Sequence, residues 1–464
     1  MADNPVQPEL PAQPDTSFSR RLKDRITALP GLRVIKGGGL KAMALKGSAW
    51  TVAGYGASQV LRLGSNLILT RLLFPEAFGL MALVSVFMTG LQMFSDVGIG
   101  PSIIQNARGD DPKFLNTAWT IQIVRGFVLW LFACLIAWPV SLLYGEPELA
   151  LLLPVVGVTA TISGFQTTAV HTTNRQLQLG RVTLLQLIGQ LVTIVVMVAW
   201  AWVSPTVWSL IAGGILGSTT SVVIGHWLLP SHQHRLSIEK ESLKSLLGYG
   251  KWIAISTVAT YAGGQGLQLI RGLFVAIDLL GQITIAMMLC TVIRTIVELL
   301  QAKIFFPVLS KVQNDSQRYI HSTRLGRYTA TAISLPILGM TAFLGDTITD
   351  FLYDPRYILI GDFIAPAAAA SILDIVCGTY LTALLAAGDS RAVAMAQILR
   401  SLFRVVATCI GYAMAGPIGM IWGLAAGSIA LYPYVLLHAI SIKVDDRLLD
   451  ILSICTVVCI LFLA

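Results

Sequence analysis

The hydrophobic positions of this chain form long, nearly unbroken segments that follow one another from Trp50 to the last residue. Each segment matches the ~20 residues that an α-helix needs to cross a bilayer. We expect spans at 47–70, 79–103, 117–143, 150–170, 182–203, 207–229, 249–274, 281–305, 328–345, 361–386, 393–414 and 417–440, followed by an apolar run at 448–464. The pattern predicts an all-α polytopic membrane protein with about 12 transmembrane helices and part of a thirteenth.

Composition supports this class and excludes several others. Hydrophobic residues make up 55% of the chain and charged residues 12%, too few to cover a soluble surface. Many of the 41 glycines lie inside apolar segments, where small residues let membrane helices pack closely. All six cysteines lie in predicted spans and no nucleotide-binding P-loop occurs. We therefore expect no metal site, no cofactor and no nucleic-acid partner.

Basic residues are distributed unevenly among the predicted loops. Of the 32 lysines and arginines, 23 lie on the same side as the N-terminus, seven lie within spans, and only Arg71 and Arg356 lie in the opposite loops. Loops rich in lysine and arginine stay in the cytoplasm. We therefore expect a cytoplasmic N-terminus.

The chain divides into five predicted regions. Residues 1–46 form a cytoplasmic segment that is disordered and basic, since its first part is rich in proline and poor in large apolar residues. Residues 47–229 form an N-lobe of spans 1–6, and 249–440 form a C-lobe of spans 7–12. A polar cytoplasmic linker, 230–248, joins the lobes, and 441–464 is a C-terminal apolar segment.

The two predicted lobes repeat each other at an offset of 202 residues. The identical pairs are Trp50 and Trp252, Gly64 and Gly266, Leu67 and Leu269, Ile68 and Ile270, Gly79 and Gly281, and Thr89 and Thr291. An even number of spans separates the copies, so both have the same orientation. We expect two parallel six-helix repeats about an axis normal to the membrane, an arrangement typical of transporters with a central site.

Several stretches are similar to one family of transporters. They are LKGSAWTVAGYGASQVLRLGSNLILTRLLFPEAFGLMALVSVF with DVGIGPSIIQ, IFFPVLSKVQND, FLYDPRYILIG, and LLAAGDSRAVAMAQILR with AGPIGMIWGLAAG. They resemble the polysaccharide transporter (Wzx-like oligosaccharide flippase) branch of the multidrug/oligosaccharidyl-lipid/polysaccharide exporter (MOP) superfamily. The resemblance extends from about residue 45 to residue 440. The apolar run at 448–464 departs from the family pattern.

This resemblance implies a flippase rather than an enzyme. Its substrate would be a polyprenyl-pyrophosphate-linked oligosaccharide repeat unit, moved by alternating access across the bacterial inner membrane. The exported unit would serve exopolysaccharide, capsule or lipopolysaccharide O-antigen synthesis. Expected partners are membrane lipids, the lipid-linked substrate, and a polysaccharide polymerase with its export machinery. We expect the chain to be a monomer.

Seven basic residues lie within predicted spans, where a charge costs about 2.5–3.5 kcal/mol on insertion scales. Arginine suits a pyrophosphate, because its planar fork donates paired hydrogen bonds to phosphate oxygens. We expect a cationic passage formed by Arg62, Arg294, Arg404 and Arg271. An alternative for Arg294 is an ion pair with Glu298, four residues later. The other three, Arg125, Lys303 and Arg400, lie near the inner boundary and could reach the headgroups.

Intramembrane acids and polar residues supply further candidates. Asp374, Asp96 and Glu298 could exchange a proton or bind Na⁺, or could serve as ion-pair partners of arginines. Asp374 has no basic residue nearby in the sequence, which favours the coupling role. Contacts to sugars are expected from Tyr55, Gln59, Asn66, Tyr261, Gln265 and Gln268 on the first span of each lobe.

Three other functions compete with this interpretation. A polysaccharide polymerase or ligase is disfavoured because the longest outward loop, about 345–361, is short. An ion-coupled multidrug exporter of the MATE type has cationic substrates, whereas the spans hold seven bases against three acids. A flippase for the peptidoglycan precursor lipid II stays open as a further alternative.

Overall fold

The computed structural model describes residues 40–94, 98–106, 108–176, 178–229, 234–244 and 265–463, together with Leu246 and Tyr261. Residues 1–39, most of the predicted span 249–274, and Asp96 lie outside the described residues. The described part contains helices and no β-strand, which confirms the all-α polytopic class.

The helices fall into an N-half, α1–α8, and a C-half, α9–α16. The N-half contains α1 Leu40–Leu72, α2 Pro75–Phe94, α3 Ile99–Gln105, α4 Pro112–Tyr144, α5 Leu149–Gly164, α6 Ala169–Arg175, α7 Leu179–Val203 and α8 Trp208–Leu228. The C-half contains α9 Gly266–Phe274, α10 Ile277–Leu300, a π-helical turn Gln301–Phe305, α11 Phe306–Val312, α12 Ser316–Phe343, α13 Gly345–Leu352, α14 Ile360–Ala386, α15 Ser390–Ser441 and α16 Arg447–Leu463.

Seven spans in the described residues are long and apolar enough to cross a membrane, and nine result if each of two bent helix pairs is one span. The bent pairs are α5 with α6, at 58°, and α12 with α13, at 73°. The predicted number of twelve stays a prediction. One span, α15, has 52 residues, which would measure about 78 Å if straight.

The helix α15 is in fact a hairpin of two antiparallel helices. Its backbone leaves the helical conformation at Ala415 and Gly416, and Gly416 has a φ of 61° that glycine adopts without strain. Beyond the break, Gly419 lies against Gly411 and Gly423 lies against Ala407. These contacts pair residues in reverse order, so the chain turns back on itself. The helices 390–414 and 417–441 correspond to the predicted spans 393–414 and 417–440.

Polar residues in the loops set where the helices begin. The carboxylate of Asp111 accepts a hydrogen bond from the Lys113 N–H at 3.0 Å, and Pro112 occupies the first helical position of α4. Asp315 and Asp389 cap α12 and α15 in the same way. Such caps satisfy N–H groups that lack a partner at a helix start. The polar gaps between apolar segments therefore correspond to real helix ends.

Each half has its own apolar core. One cluster draws its buried residues from positions 69 to 211, with Leu280 added from the C-half. Two other clusters draw theirs from positions 267 to 460 and 309 to 444. The most buried helix is α14, in which nearly every residue from Ile360 to Ala386 is covered. The C-half is therefore packed around α14.

The two halves contact each other at one end of the bundle. The Tyr357 hydroxyl donates to the Leu73 carbonyl at 2.8 Å, and the Tyr144 hydroxyl donates to the Leu269 carbonyl at 3.1 Å. We call this end the closed end. Helix α4 ends there at Tyr144, and its first residues lie at the opposite end, which carries residues 234–244 and which we call the linker end.

Residues 234–244 of the predicted linker run along the start of α4. Three of their backbone N–H groups donate to α4 side chains, in the pairs Arg235 to Asn116, Ser237 to Thr120 and Glu239 to Thr117. Arg108 adds ion pairs to Glu239 at 2.7 Å and to Asp111 at 2.6 Å. The Ser242 hydroxyl and the Arg108 guanidinium lower the pKa of Glu239. This part of the linker is thus attached to the N-half.

The C-terminal helix α16 is held by a buried ion pair. Arg327 of α12 donates to Asp450, and their side chains are 2% and 1% exposed. The hydroxyls of Tyr380 and Tyr432 donate to the other carboxylate oxygen at 2.6 and 2.8 Å. Arg327 is one of the 23 basic residues that the sequence placed outside the spans on the side of the N-terminus. That placement was wrong, because α12 begins at Ser316, twelve residues before the predicted span. The apolar run at 448–464 is therefore part of the C-half.

Candidate functional site

Asp374 lies at the centre of a cluster of arginines in the middle of α14. Its side chain is 2% exposed. Oδ2 accepts a hydrogen bond from Arg294 at 2.9 Å, and Oδ1 forms an ion pair with Arg400 at 2.8 Å. Oδ1 also accepts from Arg404 and from the Ser428 hydroxyl, the latter at 3.0 Å. Three cations from two neighbouring helices therefore share one carboxylate.

The helices on either side of α14 position these arginines. Arg294 projects from α10, while Arg400 and Arg404 lie one turn apart on the helix 390–414. The returning helix 417–441 comes close because Gly427 lacks a side chain; a Cβ there would lie 2.8 Å from the Arg404 Cα. The hairpin at Gly416 thus brings Ser428 to the carboxylate.

A cavity of about 140 Å³ adjoins the cluster. Its lining is Leu267, Arg271, Met287, Thr291, Arg294, Ala367, Ala370, Ser371, Asp374, Arg404 and Leu424. Arg271 is 6% exposed, and its guanidinium contacts the Met287 sulfur and the Leu267 carbonyl. This cavity joins α9, α10, α14 and α15 in one polar site.

The site carries an excess of positive charge. Arg294 forms a second ion pair, with Glu298 at 3.4 Å, as the sequence alternative expected. Four guanidinium groups face two carboxylates, so two positive charges have no counterpart among these groups. Buried charges that exceed their partners in number are costly, and such sites in membrane proteins mark a substrate or ion pathway. An anion is the ligand that this arrangement can hold.

The structure brings together three of the four arginines expected in a cationic passage: Arg294, Arg404 and Arg271. Arg400 was expected to reach the headgroups, and this was wrong, because it is paired with Asp374 and its side chain is 18% exposed. The signal that could have found it was its i, i+4 spacing to Arg404 on one helix face. Asp374 has no basic residue nearby in the sequence, and its partners come instead from α10 and α15.

Arg62 lies outside this cavity, on an exposed part of α1. Four residues later, Asn66 is buried and its amide contacts the Met288 sulfur of α10 at 3.8 Å. Residues four positions apart share a helix face, and Tyr55 and Gln59 have the same spacing earlier in α1. These four side chains therefore form one polar stripe along α1, and Asn66 contacts the C-half. The Tyr55 hydroxyl and the Gln59 Oε1 are buried and have no hydrogen-bond partner among the described residues.

The other candidates lie in varied surroundings. The Tyr261 hydroxyl donates to the Val86 carbonyl at 3.1 Å, so it ties the C-half to α2. Gln265 precedes α9 and Gln268 lies in its first turn, both half-buried. The side chain of Glu298 is 56% exposed, unlike Asp374. None of these four residues is among the described residues that line the arginine cavity.

A second cavity, of about 460 Å³, lies in the N-half. It was not expected from the sequence, and its polar lining includes Gln92, Gln122, Arg125, Ser163, Gln166 and His171. Gln122 donates to the carbonyls of Ser163, Gly164 and Gln166, and Arg125 donates to the Gln92 carbonyl at 2.6 Å. Gln122 therefore supports the backbone where α5 ends, and Arg125 supports the last turn of α2.

Residues 68–359, more than half of the chain, match the family described as polysaccharide biosynthesis protein. The chain belongs to this family. This match confirms the resemblance to a polysaccharide biosynthesis family that the sequence motifs indicated. No curated protein matches this chain at a significant level.

Solved structures with the same fold come from two kinds of transporter. A multidrug resistance MATE family transporter of the MOP superfamily, in an inward-facing conformation, has a TM-score of 0.69 at 16% identity over 83% of this chain and 94% of that one. The lipid II flippase MurJ, in an inward closed conformation, has a TM-score of 0.65 at 15% identity over 89% and 97%. An outward-facing MATE structure has a TM-score of 0.55 at 14% identity over 90% and 99%. This chain thus has the fold of these transporters.

Proposed function

We propose that this protein is a flippase that moves polyprenyl-pyrophosphate-linked oligosaccharides across the bacterial inner membrane by alternating access. The observation that carries the proposal is the net positive cavity around Arg271, Arg294, Arg404 and Asp374, inside a membrane protein of a polysaccharide biosynthesis family. A pyrophosphate cannot cross hydrocarbon without compensating charge, and this cavity supplies it.

Asp374 holds the arginines of the site together before substrate binds. Without an anion, its carboxylate holds Arg294, Arg400 and Arg404 close together. A pyrophosphate offers more acceptor oxygens than one carboxylate, so the arginines can turn to it when it enters. Their planar forks then donate paired hydrogen bonds to the phosphate oxygens. The two negative charges of the pyrophosphate diester then match the two guanidinium charges that exceed the carboxylates of the site.

The polar stripe of α1 is our candidate for contacts to the sugars. Tyr55 and Gln59 present buried polar atoms without a partner among the described residues, and such atoms are costly unless a ligand or water satisfies them. Asn66 continues the stripe at the contact with Met288. Arg62, on the same face, would complete the cationic route from the linker end. The lipid chain would stay in the membrane beside the bundle.

The positive charge of the cavity distinguishes the proposed flippase from a multidrug exporter. A multidrug exporter with cationic substrates would need an acidic site, whereas the arginines outnumber the acids here. The lipid II alternative has the same pyrophosphate chemistry, and the family match to polysaccharide biosynthesis favours a different glycan. A polysaccharide polymerase would act on the exported unit and is the expected functional partner.

Replacing single arginines tests the proposal. We expect Arg294→Ala, Arg404→Ala and Arg62→Ala each to lower polysaccharide export by about tenfold or more, since each loses a charge-assisted bond worth about 1.5–3 kcal/mol. Lysine at the same positions should restore part of the export, because it keeps the charge and loses the fork. Export is measured in the native host, with the amount of protein in the membrane determined by immunoblot.

The matched control is Arg391→Ala, an exposed arginine on the same helix as Arg404. It should export normally. Normal export by Arg294→Ala and Arg404→Ala at normal protein levels would refute the cationic passage. In proteoliposomes, the rate of flipping of a fluorescent lipid-linked oligosaccharide is compared with that of lipid II. A faster rate with lipid II would show that lipid II, and not the proposed oligosaccharide, is the substrate.

A further inference from the structure

The contact between α2 and α10 at the closed end is reciprocal. A Cβ built on Gly79 would lie 1.9 Å from the Ile277 carbonyl oxygen, and one built on Gly281 would lie 2.1 Å from the Pro75 carbonyl oxygen. At the 202-residue offset, Gly79 corresponds to Gly281 and Pro75 corresponds to Ile277. The same contact is therefore made twice, as it is across a two-fold axis.

At this crossing the two helices pack backbone against backbone. Real Cβ atoms essentially never approach another heavy atom closer than 3.0 Å, so a methyl group at Gly79 would push the helices more than 1 Å apart. A second repeated pair, Gly64 and Gly266, has no atom within 4 Å of the position of a Cβ. Close packing is thus a property of this crossing and not of every repeated glycine.

Side chains from the C-half cover the crossing. Tyr357 is fully buried, donates to the Leu73 carbonyl, and places its ring edge-on to Phe78 at 6.1 Å. Beside it, Arg356 donates to the Arg71 carbonyl at 2.9 Å. These contacts join the segment before α14 to the turn between α1 and α2. They reinforce the glycine contact from one side.

The crossing lies on the closed-end side of the arginine cavity. Met287 lines the cavity and comes ten residues after Ile277, which places it about 15 Å further along α10. Among the described residues, the hydrogen bonds between the halves extend from the closed end only as far as Asn66 and Val86. These bonds therefore join the halves over the length from the closed end to the depth of the cavity.

We propose that the crossing of Gly79 and Gly281 is the gate at the closed end, and that α2 and α10 separate there in every transport cycle. The proposal rests on the proposed function, because alternating access requires the cavity to open at both ends in turn. Two glycines permit the helix backbones to seal tightly at the crossing itself. Opening the seal also withdraws Leu280, the neighbour of Gly281, from the apolar core of the N-half.

Distances between spin labels test the gate in protein reconstituted in lipid nanodiscs without substrate. Labels at Leu143 and Phe351, which are 62% and 80% exposed, report on the closed end. Labels at Ile238 and Arg318 report on the linker end. We expect Gly79→Ala and Gly281→Ala to shift the closed-end distances to longer values and the linker-end distances to shorter ones. The matched controls Gly64→Ala and Gly266→Ala should leave both distributions unchanged.

Two results would overturn the gate. One is an unchanged closed-end distance in Gly79→Ala and Gly281→Ala, and the other is a longer distance at both ends, which would mean a loosened bundle. Tyr357→Phe removes only one hydrogen bond and keeps the ring, so it serves if an alanine variant does not fold. It should shift the closed-end distances in the same direction to a smaller extent, and no shift would count against the gate. Since no substrate is present, a wrong assignment of the substrate leaves these results unaffected.

Discussion

Asp374 has more positive charge around it than one carboxylate can neutralise. Arg294, Arg400 and Arg404 all reach it, and among the described residues Glu298 is the other acid that pairs with one of them, at 3.4 Å from Arg294. A proton or Na⁺ at this carboxylate would have to compete with three guanidinium groups. The geometry therefore favours a role in holding the arginines together. The role of Asp374 in ion coupling stays a prediction. One variant distinguishes ion coupling from the role of holding the arginines together.

We expect Asp374→Asn to destabilise the protein and to abolish export. The amide has the same size but leaves Arg400 and Arg404 without an anion and Arg294 with Glu298 alone, and breaking a buried ion pair costs about 3–5 kcal/mol. Thermal unfolding of the purified protein measures the loss, with Asp350→Asn on the exposed surface as the control. A variant of normal stability that loses only its response to pH or Na⁺ gradients would instead support coupling.

At the scale of single residues, sequence reasoning succeeded where partners are local. The pair of Arg294 and Glu298 follows from i, i+4 spacing alone. The partners of Asp374 come from two other helices, 80 residues before it and 30 residues after it. Arg400 was misjudged because its depth was counted from the span boundary, whereas its direction is set by the packing of α15 on α14. Only tertiary structure supplies that direction.

The C-terminal helix α16 shows how one buried charge can position an element. Asp450 interrupts an apolar run and lies opposite Arg327 of α12, whose guanidinium also stacks over the Tyr380 ring at 3.6 Å. A lone acid in an apolar segment was the available signal that α16 packs against a basic partner. The position of that partner could not be inferred, because Arg327 was assigned to a loop.

We expect Asp450→Asn to lower the free energy of unfolding by about 3–5 kcal/mol, since the buried Arg327 would lose its carboxylate partner. The matched control is Asp445→Asn, five residues earlier. Asp445 pairs with Arg447 at 3.6 Å at the surface, where such a pair contributes about 0–1 kcal/mol. Denaturant or thermal unfolding in detergent compares the two. Equal effects would show that the buried pair does not hold α16.

At the scale of the whole molecule, apolar length and repeat were enough to predict the class of fold. The 202-residue offset pairs Gly79 with Gly281, and the structure brings these two residues to one crossing. The bends between α5 and α6 and between α12 and α13 were not predicted, because apolar residues continue across them. Which end of the bundle the halves share also depends on side-chain packing, which no pattern of hydrophobic positions encodes.

Orientation in the membrane is the prediction that belongs to the whole molecule. The basic loops at the linker end are expected in the cytoplasm, and the closed end is expected outside. In a background without the native cysteines, a membrane-impermeant maleimide added from outside should modify a cysteine at Asp350 and spare one at Lys240. The reverse pattern of labelling would overturn the topology and place the proposed gate at the cytoplasmic face.

The reciprocal glycine contact also bears on how such a chain could arise. If the two halves descend from a single duplicated gene, the crossing was once the interface of a homodimer, and a single mutation altered both sides of it together. Any side chain there would have been added twice, so small residues were retained before fusion. Fusion then freed each copy to change alone. The three arginines that share Asp374 all belong to the C-half. Such an asymmetric site can evolve once each half of the chain can mutate without the other.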